Sequence, residues 1–184
     1  MVELYYSSRL FALKLENNSS IVRLRFESNH VEGDIAEDFG VYPNLQYIDL
    51  SDNKFHSHIS INWRKSPNLT TFKISKNNII GGIPLRFLEA KGLGKLHPSS
   101  NQLTGKIPKE LGYLKSLLKI NNNHLSGSIP SEIGLLKDLE DFYVGGNMLT
   151  GIIPKKVFKL PFLHNLNLSG NKIEGRIPSD FVQL

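Results

Sequence analysis

The chain of 184 residues contains no cysteine, one tryptophan and only 15 glycines. Without cysteine it can form neither disulfides nor thiolate zinc sites. The glycines are too few for a collagen-like repeat, which needs glycine at every third position. No run of about 18 apolar residues exists, so the sequence predicts no membrane span. Arg9 and Lys14 interrupt the apolar stretches near the N-terminus, so we expect no signal peptide in this chain.

Asparagine is abundant instead, and seven of the 17 asparagines recur at a nearly constant spacing of 24, 24, 24, 22, 24 and 24 residues. Each follows the same frame of apolar residues, which in one copy are Leu45, Ile48 and Leu50 before Asn53. A second frame after the asparagine reads apolar, any residue, glycine, any residue, isoleucine, proline, as in Leu103–Pro108. The seven repeating asparagines are Asn29, Asn53, Asn77, Asn101, Asn123, Asn147 and Asn171.

The two frames predict a coil that contributes a short strand to a parallel sheet. Apolar residues two apart point to the same side of a strand, and the residues between them point to the other side. The asparagine side chain can satisfy backbone groups in the turn after the strand. Glycine permits a tight backbone path, and proline prevents a continuous helix in the return segment. One coil cannot bury its apolar face alone, so stacked coils are predicted to form the core.

This pattern resembles the leucine-rich repeat in its plant-type form, with 24 residues per coil. The resemblance implies an α/β-solenoid type fold: a right-handed open superhelix with a parallel concave sheet, short second strands and little α-helix. Residues 1–20 resemble the degenerate end of a preceding coil, and we expect the chain to be a segment of a longer solenoid. Seven coils are predicted within 21–184: 21–44, 45–68, 69–92, 93–116, 117–138, 139–162 and a truncated 163–184.

Three stretches resemble more closely the ectodomains of plant leucine-rich-repeat receptor-like kinases that perceive secreted peptides. They are Phe39–Leu45, Asn62–Trp63 and Ser66–Thr70. Ser66 and Asn18 stand where that subgroup carries cysteine. The resemblance implies a non-catalytic module that binds a peptide or protein ligand, or a co-receptor kinase, on the extracellular side of the plasma membrane. It also implies a longer parent with a membrane anchor and a serine/threonine kinase domain, whose motifs this chain lacks.

Two other interpretations stay open. A secreted leucine-rich-repeat inhibitor of cell-wall hydrolases is also a binding module, although the cysteine caps of such proteins are missing. A degenerate gene fragment without function is the other, and the missing cysteines and two irregular coils favour it. Enzyme chemistry finds no support, because the chain has neither a cysteine nucleophile nor a Gly-x-Ser-x-Gly elbow.

The residues that alternate with the core positions of the strands are predicted to form the ligand-binding face. Mixed charge with aromatic side chains suits peptide recognition. The lysines of the return segments are scattered and form no continuous basic stripe, so we expect no nucleic-acid partner. No cofactor is predicted. The predicted concave binding face comprises Arg23, Arg25, Tyr47, Asp49, Lys73, Lys95, His97, Asp141, Tyr143 and His164.

Two further motifs have weaker implications. His56 and His58 could share a metal, but no third ligand is near in sequence, so no metal site is predicted.

Four Asn-x-Ser/Thr sequons predict glycosylation in a secreted parent. One of them falls on a concave strand, where a sugar would cover that end of the face. The sequon asparagines are Asn17, Asn18, Asn68 and Asn167, of which the first two overlap.

Two neighbouring coils depart from the frame. Pro98 occupies an apolar strand position, where it can face inward but cannot donate to the ladder, at a cost of about 1 kcal/mol. The next coil is two residues short. We predict its strand at Leu118–Asn122, with the deletion absorbed at 114–117. The alternative keeps Leu117 as the start of the strand and loses the second inward residue. A register slip would put Lys119 into the core, which is costly.

Overall fold

The computed structural model of the chain describes residues 20–39, 41–88, 92–114 and 117–177. The odd-numbered strands form one parallel sheet of seven strands, and the even-numbered strands form a second. The leucine-rich-repeat solenoid with short second strands, predicted from the repeat, is confirmed. In chain order the strands are β1 Arg23–Arg25, β2 Glu32–Asp34, β3 Tyr47–Asp49, β4 Lys54–His58, β5 Thr71–Lys73, β6 Asn78–Gly81, β7 Lys95–His97, β8 Gln102–Lys106, β9 Leu117–Lys119, β10 His124–Gly127, β11 Asp141–Tyr143, β12 Met148–Gly151, β13 Asn165–Asn167 and β14 Lys172–Ile173.

The return segments behind the sheets contain short helical turns, consistent with the recurring proline. Pro108 and Pro130 each precede a 3₁₀ turn with extended backbone. Within the described ranges the only α-helix has four residues, so the prediction of little α-helix is confirmed. The 3₁₀ turns are Ile61–Lys65, Lys109–Tyr113, Ser131–Leu135 and Val157–Lys159, and the α-helix is Leu85–Leu88.

Glycine lets two neighbouring return segments pack closely. A Cβ atom added at Gly112 would overlap the backbone of Glu132 in the next coil, and one added at Gly134 would overlap Lys156. Larger residues at these two positions would push the return segments apart.

Apolar side chains from strands and return segments fill the space inside the coils. Leu45 and Ile48 are fully buried, as the apolar frame predicts. Aromatic rings continue the core from one coil to the next. The Phe72 ring centroid lies 5.1 Å from that of Trp63 and 5.1 Å from that of Phe87, with edge-on geometry. Such contacts link adjacent coils through packing as well as through the sheets.

The ladder asparagines join each coil to the one before it. Nδ2 of Asn77 donates to the carbonyl of Leu50 in the preceding coil, at 2.9 Å, and to its own turn at Ile74. Its Oδ1 accepts from the backbone N–H of Phe55. Asn29 bonds its own turn at Phe26 and Glu27. The contacts between coils recur at Asn53, Asn101, Asn123, Asn147 and Asn171.

Pro98 is buried, as predicted, and interrupts the ladder of the first sheet. The equivalent residues Ile74 and Ile120 donate to the next coil, at the carbonyls of His97 and Tyr143, over 3.0 and 2.9 Å. Proline has no N–H to donate. The register of β7 with β9 accordingly covers two residue pairs, where that of β5 with β7 covers three.

The fifth coil keeps its register, as predicted. Leu118 pairs with Phe142, and both Leu118 and Ile120 are fully buried. Lys119 points away from the core, with Nζ 4.9 Å from the centroid of the Tyr143 ring. Five residues separate the 3₁₀ turn 131–135 from β11, but only three separate 109–113 from β9, so the deletion lies where it was expected.

The predicted bounds of this strand were wrong by a few residues. The strand spans Leu117–Lys119 rather than Leu118–Asn122. The carbonyls of Ile120 and Asn121 both accept from the Asn123 side chain, so the chain already turns there.

Candidate ligand-binding face

Side chains on the open side of the first sheet form two columns, at the first and third residues of each strand. Together they are called the concave face below. Nine of the ten residues predicted for it lie in these columns; His164 is exposed and lies one residue before β13. The first column contains Arg23, Tyr47, Thr71, Lys95, Asp141 and Asn165, and the second contains Arg25, Asp49, Lys73, His97, Lys119, Tyr143 and Asn167.

Asp49 organises the N-terminal half of the face. Its Oδ2 accepts from the Tyr47 hydroxyl at 3.0 Å and lies 3.3 Å from Nζ of Lys73. Its Oδ1 accepts from the backbone N–H of Ser51 at 3.1 Å. Asp49 is only 6% exposed, so it orients its two neighbours and is itself hardly open to a ligand.

Two cations lie against the Tyr47 ring. The guanidinium carbon of Arg23 is 5.9 Å from the ring centroid, and Nζ of Lys73 is 5.3 Å from it. Burial lowers the pKa of Lys73, but the hydrogen bond to Tyr47 and the charge of Asp49 raise it by more. Lys73 is therefore held as a cation beside an aromatic ring, an arrangement that fixes both side chains.

Arg25 is paired within its own strand end. Its Nε donates to Oε1 of Glu27 at 2.8 Å, and its second guanidinium nitrogen forms an ion pair with the same oxygen. This exposed pair leaves the first coil with one arginine, Arg23, turned toward Tyr47 and another turned toward Glu27.

His97 lies in the middle of the face and is uncharged at neutral pH. Its Nε2 is buried and has no hydrogen-bond partner. Burial, followed by repulsion from Lys73 and Lys119, lowers the pKa of His97 to about 4, against a weaker opposing effect of Asp49. The sequence identified His97 as a concave residue, but its charge state depends on strands that lie 22 and 24 residues away in the sequence.

The C-terminal half of the face is less tightly connected. Asp141 Oδ1 accepts from Nδ2 of Asn165 at 2.7 Å. Asn167 Oδ1 accepts from the Ser169 hydroxyl at 2.7 Å. Thr71 and Asn165 lie in the first column but were missed in the sequence analysis, which favoured charged and aromatic residues. The strand alternation that selects Lys73 would have found both of them.

The remaining predicted sites lie off the concave face or outside the described residues. His56 and His58 belong to β4 in the second sheet. Throughout 20–39, 41–88, 92–114 and 117–177, no cluster of three His, Cys, Asp or Glu side chains could hold a metal ion. Asn68 is exposed, and its Nδ2 donates to the carbonyl of Pro43 at 2.8 Å. Asn17 and Asn18 lie outside the described residues.

The described part of the chain contains no helix with the length and hydropathy needed to cross a bilayer.

The family model for the leucine-rich repeat matches residues 44–65, 116–136 and 162–184. These matches, the two parallel sheets and the asparagine ladder together show the leucine-rich-repeat solenoid fold, with the short second strands of the plant-type repeat. No curated protein sequence matches it significantly.

Among solved structures, the chain resembles ectodomains of plant receptor kinases. It is 36% identical to the Arabidopsis receptor kinase HAESA, solved with the peptide hormone IDA and the co-receptor SERK1, over 90% of this chain and 28% of HAESA, with a TM-score of 0.85. It is 31% identical to the plant peptide hormone receptor RGFR1, solved with RGF2, over 88% of this chain and 26% of that one (TM-score 0.84). It is 28% identical to PEPR1, solved with AtPEP1, over 90% of this chain and 24% of that one (TM-score 0.83). The chain thus spans about a quarter of the length of the chains in these three structures.

Proposed function

We propose that the chain is a non-catalytic recognition segment of a plant cell-surface receptor kinase, and that its concave face binds a peptide or protein ligand. The observation that carries the proposal is the fixed group around Asp49, which holds Tyr47 and Lys73 in one arrangement on the open side of the sheet. Side chains ordered before binding lose less conformational entropy when a ligand arrives. Tyrosine and arginine, which are present here as Tyr47 and Arg23, are also enriched in protein recognition surfaces.

The similar receptors support the ligand class. HAESA was solved with the peptide hormone IDA, and the peptide hormone receptor RGFR1 was solved with RGF2. The HAESA complex also contains the co-receptor SERK1, which supports a co-receptor kinase as a second partner for this segment. Under this proposal the chain lies on the extracellular side of the plasma membrane, and a kinase domain elsewhere in a longer parent transmits the signal.

The experiment is capture of peptides from a random library by the immobilised full chain. Tyr47→Ala is expected to reduce capture about tenfold or more, because it removes an aromatic side chain of the concave face. Tyr113→Ala is the matched control, since Tyr113 is 69% exposed in a return segment. Equal capture by the wild type and Tyr47→Ala would overturn the assignment of this face.

We also propose that the sequons are glycosylated when the chain is part of a secreted parent. Asn68 is exposed, and a glycosylated amide would retain one N–H for its bond to Pro43. Asn167 is exposed on the concave face, so a sugar there would restrict binding to the more N-terminal coils. Mass spectrometry of the chain secreted from plant cells tests occupancy at each site, and unmodified peptides at both sites would contradict it.

A further inference from the structure

Two rows of exposed side chains cross the fourth, fifth and sixth coils on the back of the solenoid, away from the concave face. The residue that follows the repeated proline of each coil forms the first row, and the residue at which each 3₁₀ turn ends forms the second. The two rows and Lys156 are called the back patch below. The first row is Lys109, Ser131 and Lys155, and the second row is Tyr113, Leu135 and Lys159.

Direct contact between the return segments joins the rows across the three coils. Gly112 leaves room for the backbone of Glu132 in the next coil, and Gly134 does the same for Lys156. The stem of Lys156 is therefore held against the turn of the coil before it. Residues at equivalent positions of these turns are neighbours in space.

The second row exposes two apolar side chains next to each other. Tyr113 is 69% exposed and Leu135 is 51% exposed, and they end the turns of adjacent coils. A tyrosine ring offers a flat apolar surface with a polar tip. The middle of the back patch can therefore pack against a flat apolar group of a ligand.

Lysines surround this apolar pair and have no carboxylate partner. Among the residues that the structure describes, none of the four lysines of the back patch forms an ion pair. The turns carry two glutamates, Glu110 and Glu132, which are half-buried, and Oε2 of Glu132 accepts from the Ser131 hydroxyl at 3.2 Å. The exposed charge of the patch is therefore mainly positive and is available to an anion. The four lysines are Lys109, Lys155, Lys156 and Lys159, all of them exposed.

The spacing of the lysines favours a polymer whose charges are well separated. In the first row Ser131 stands between Lys109 and Lys155, so these two lysines are two coils apart, or roughly 10 Å at the pitch of the sheet. A nucleic acid strand carries a phosphate about every 3.4 Å, which is much denser. A polyuronate carries one carboxylate on each sugar ring, and each ring has a C–H face that can pack against an aromatic side chain.

We propose that the back patch binds a linear acidic polysaccharide, whose carboxylates contact the lysines and one of whose sugar rings packs against Tyr113. Ammonium groups bind carboxylates through charge-assisted hydrogen bonds. A polymer that runs along the solenoid meets equivalent positions in successive coils, so several weak contacts act together. This site lies on the opposite side from the concave face and goes beyond the proposed function.

The test measures binding of the full chain to a galacturonate oligomer of roughly ten units, long enough to cross the three coils, by isothermal titration calorimetry. The fully methyl-esterified oligomer keeps the sugar rings without the charges. Polyglutamate of the same length keeps the carboxylates without the rings. We expect both to bind at least about tenfold more weakly than the galacturonate oligomer, whose own binding is expected to weaken as salt is added.

Variants at exposed positions locate the site. Lys109→Gln with Lys155→Gln is expected to weaken binding of the galacturonate oligomer about tenfold. Lys54→Gln with Lys172→Gln removes the same charge from exposed positions of the second sheet and is expected to leave the affinity unchanged.

The contribution of the aromatic ring is tested separately. Tyr113→Ala is expected to weaken binding of the galacturonate oligomer about three- to tenfold, whereas Tyr113→Phe keeps the ring and is expected to retain it. Tyr113→Ala is also expected to leave peptide capture by the concave face unchanged.

Two outcomes would overturn the proposed polysaccharide site. One is equal affinity of the wild type and the Lys109/Lys155 double variant for the galacturonate oligomer. The other is polyglutamate that binds as tightly as the galacturonate oligomer, which would assign the patch to acidic protein segments instead. Neither outcome affects the library capture that depends on Tyr47, so failure of this inference is distinguishable from failure of the proposed function.

Discussion

The side-chain oxygen of Asn77 accepts a hydrogen bond from the backbone N–H of Phe55 in the preceding coil, at 2.9 Å. The amide nitrogen of the same side chain donates to the carbonyl of Leu50, also at 2.9 Å. One buried asparagine therefore satisfies a donor and an acceptor of its neighbour. The coils are joined by these side chains in addition to the two sheets.

Asn77→Ala is expected to lower the free energy of unfolding by about 2–4 kcal/mol, because buried backbone groups in two coils lose their partners. Urea denaturation measures the change. Asn78→Ala is the control, since the next residue is exposed on β6 and its loss is expected to cost less than about 0.5 kcal/mol. Equal losses in the two variants would remove the special role of the ladder asparagine.

Ser57 stands in the second coil where the third coil has Gly81, and the two residues adopt φ angles of 77° and 76°. This left-handed region strains a residue with a Cβ atom. Ser57→Gly is expected to raise the free energy of unfolding by about 1 kcal/mol, measured by thermal denaturation. Ser60→Gly is a fitting comparison, because Ser60 has φ of −68° and caps a 3₁₀ turn. A gain in the second variant but not the first would contradict the assignment of strain.

Pro98→Ile is expected to restore the missing bond between the fourth and fifth coils. The new hydrogen bond contributes about 1 kcal/mol, and the greater freedom of the unfolded chain offsets much of it. The informative measurement is therefore amide hydrogen exchange. The amide introduced at position 98 is expected to be as protected as those of Ile74 and Ile120, which make the equivalent bonds. Rapid exchange there would show that the ladder does not close.

The stability of the protein is expected to fall in acid partly through His97. Its pKa is lowered from 6.5 to about 4 on folding, so between these values the unfolded chain binds a proton that the folded chain does not. Above about pH 6.5 the neutral His97 ring costs no stability. As the pH falls from there toward 4, the free energy of unfolding decreases because of His97 by at most about 3 kcal/mol. Denaturation of the wild type and His97→Gln across this range measures it. A difference between the two that stays constant with pH would contradict the expectation.

The fold was predictable from the sequence because the regular spacing of the apolar residues directly indicates which side chains form the core. The spacing of Leu45, Ile48 and Leu50 defines the buried side of a strand, and the structure buries all three. The same frame, counted back from Asn123, gave the correct register for the shortened coil.

The residues of the concave columns were predictable for the same reason, but the burial, the partners and the charge state of each side chain were not. Asp49 was predicted as a ligand contact, yet it is buried beneath Tyr47 and Lys73. Its partner Lys73 belongs to the next coil, and two of the cations around His97, Lys73 and Lys119, belong to the coils on either side of it. Side chains that are neighbours on adjacent strands are about two dozen residues apart in the sequence. The repeat pattern predicts which face each one lies on, but it does not predict which of them make contact.

The shortened coil has a consequence for how such a stack can vary. Two residues are absent between Tyr113 and β9, yet β9 remains in register with β11. Length changes at the back are thus absorbed before the chain reaches the front. The return segments can therefore change in length without changing the first sheet. In a repeat protein of this kind, the convex side can vary while the spacing of the side chains on the concave side stays constant.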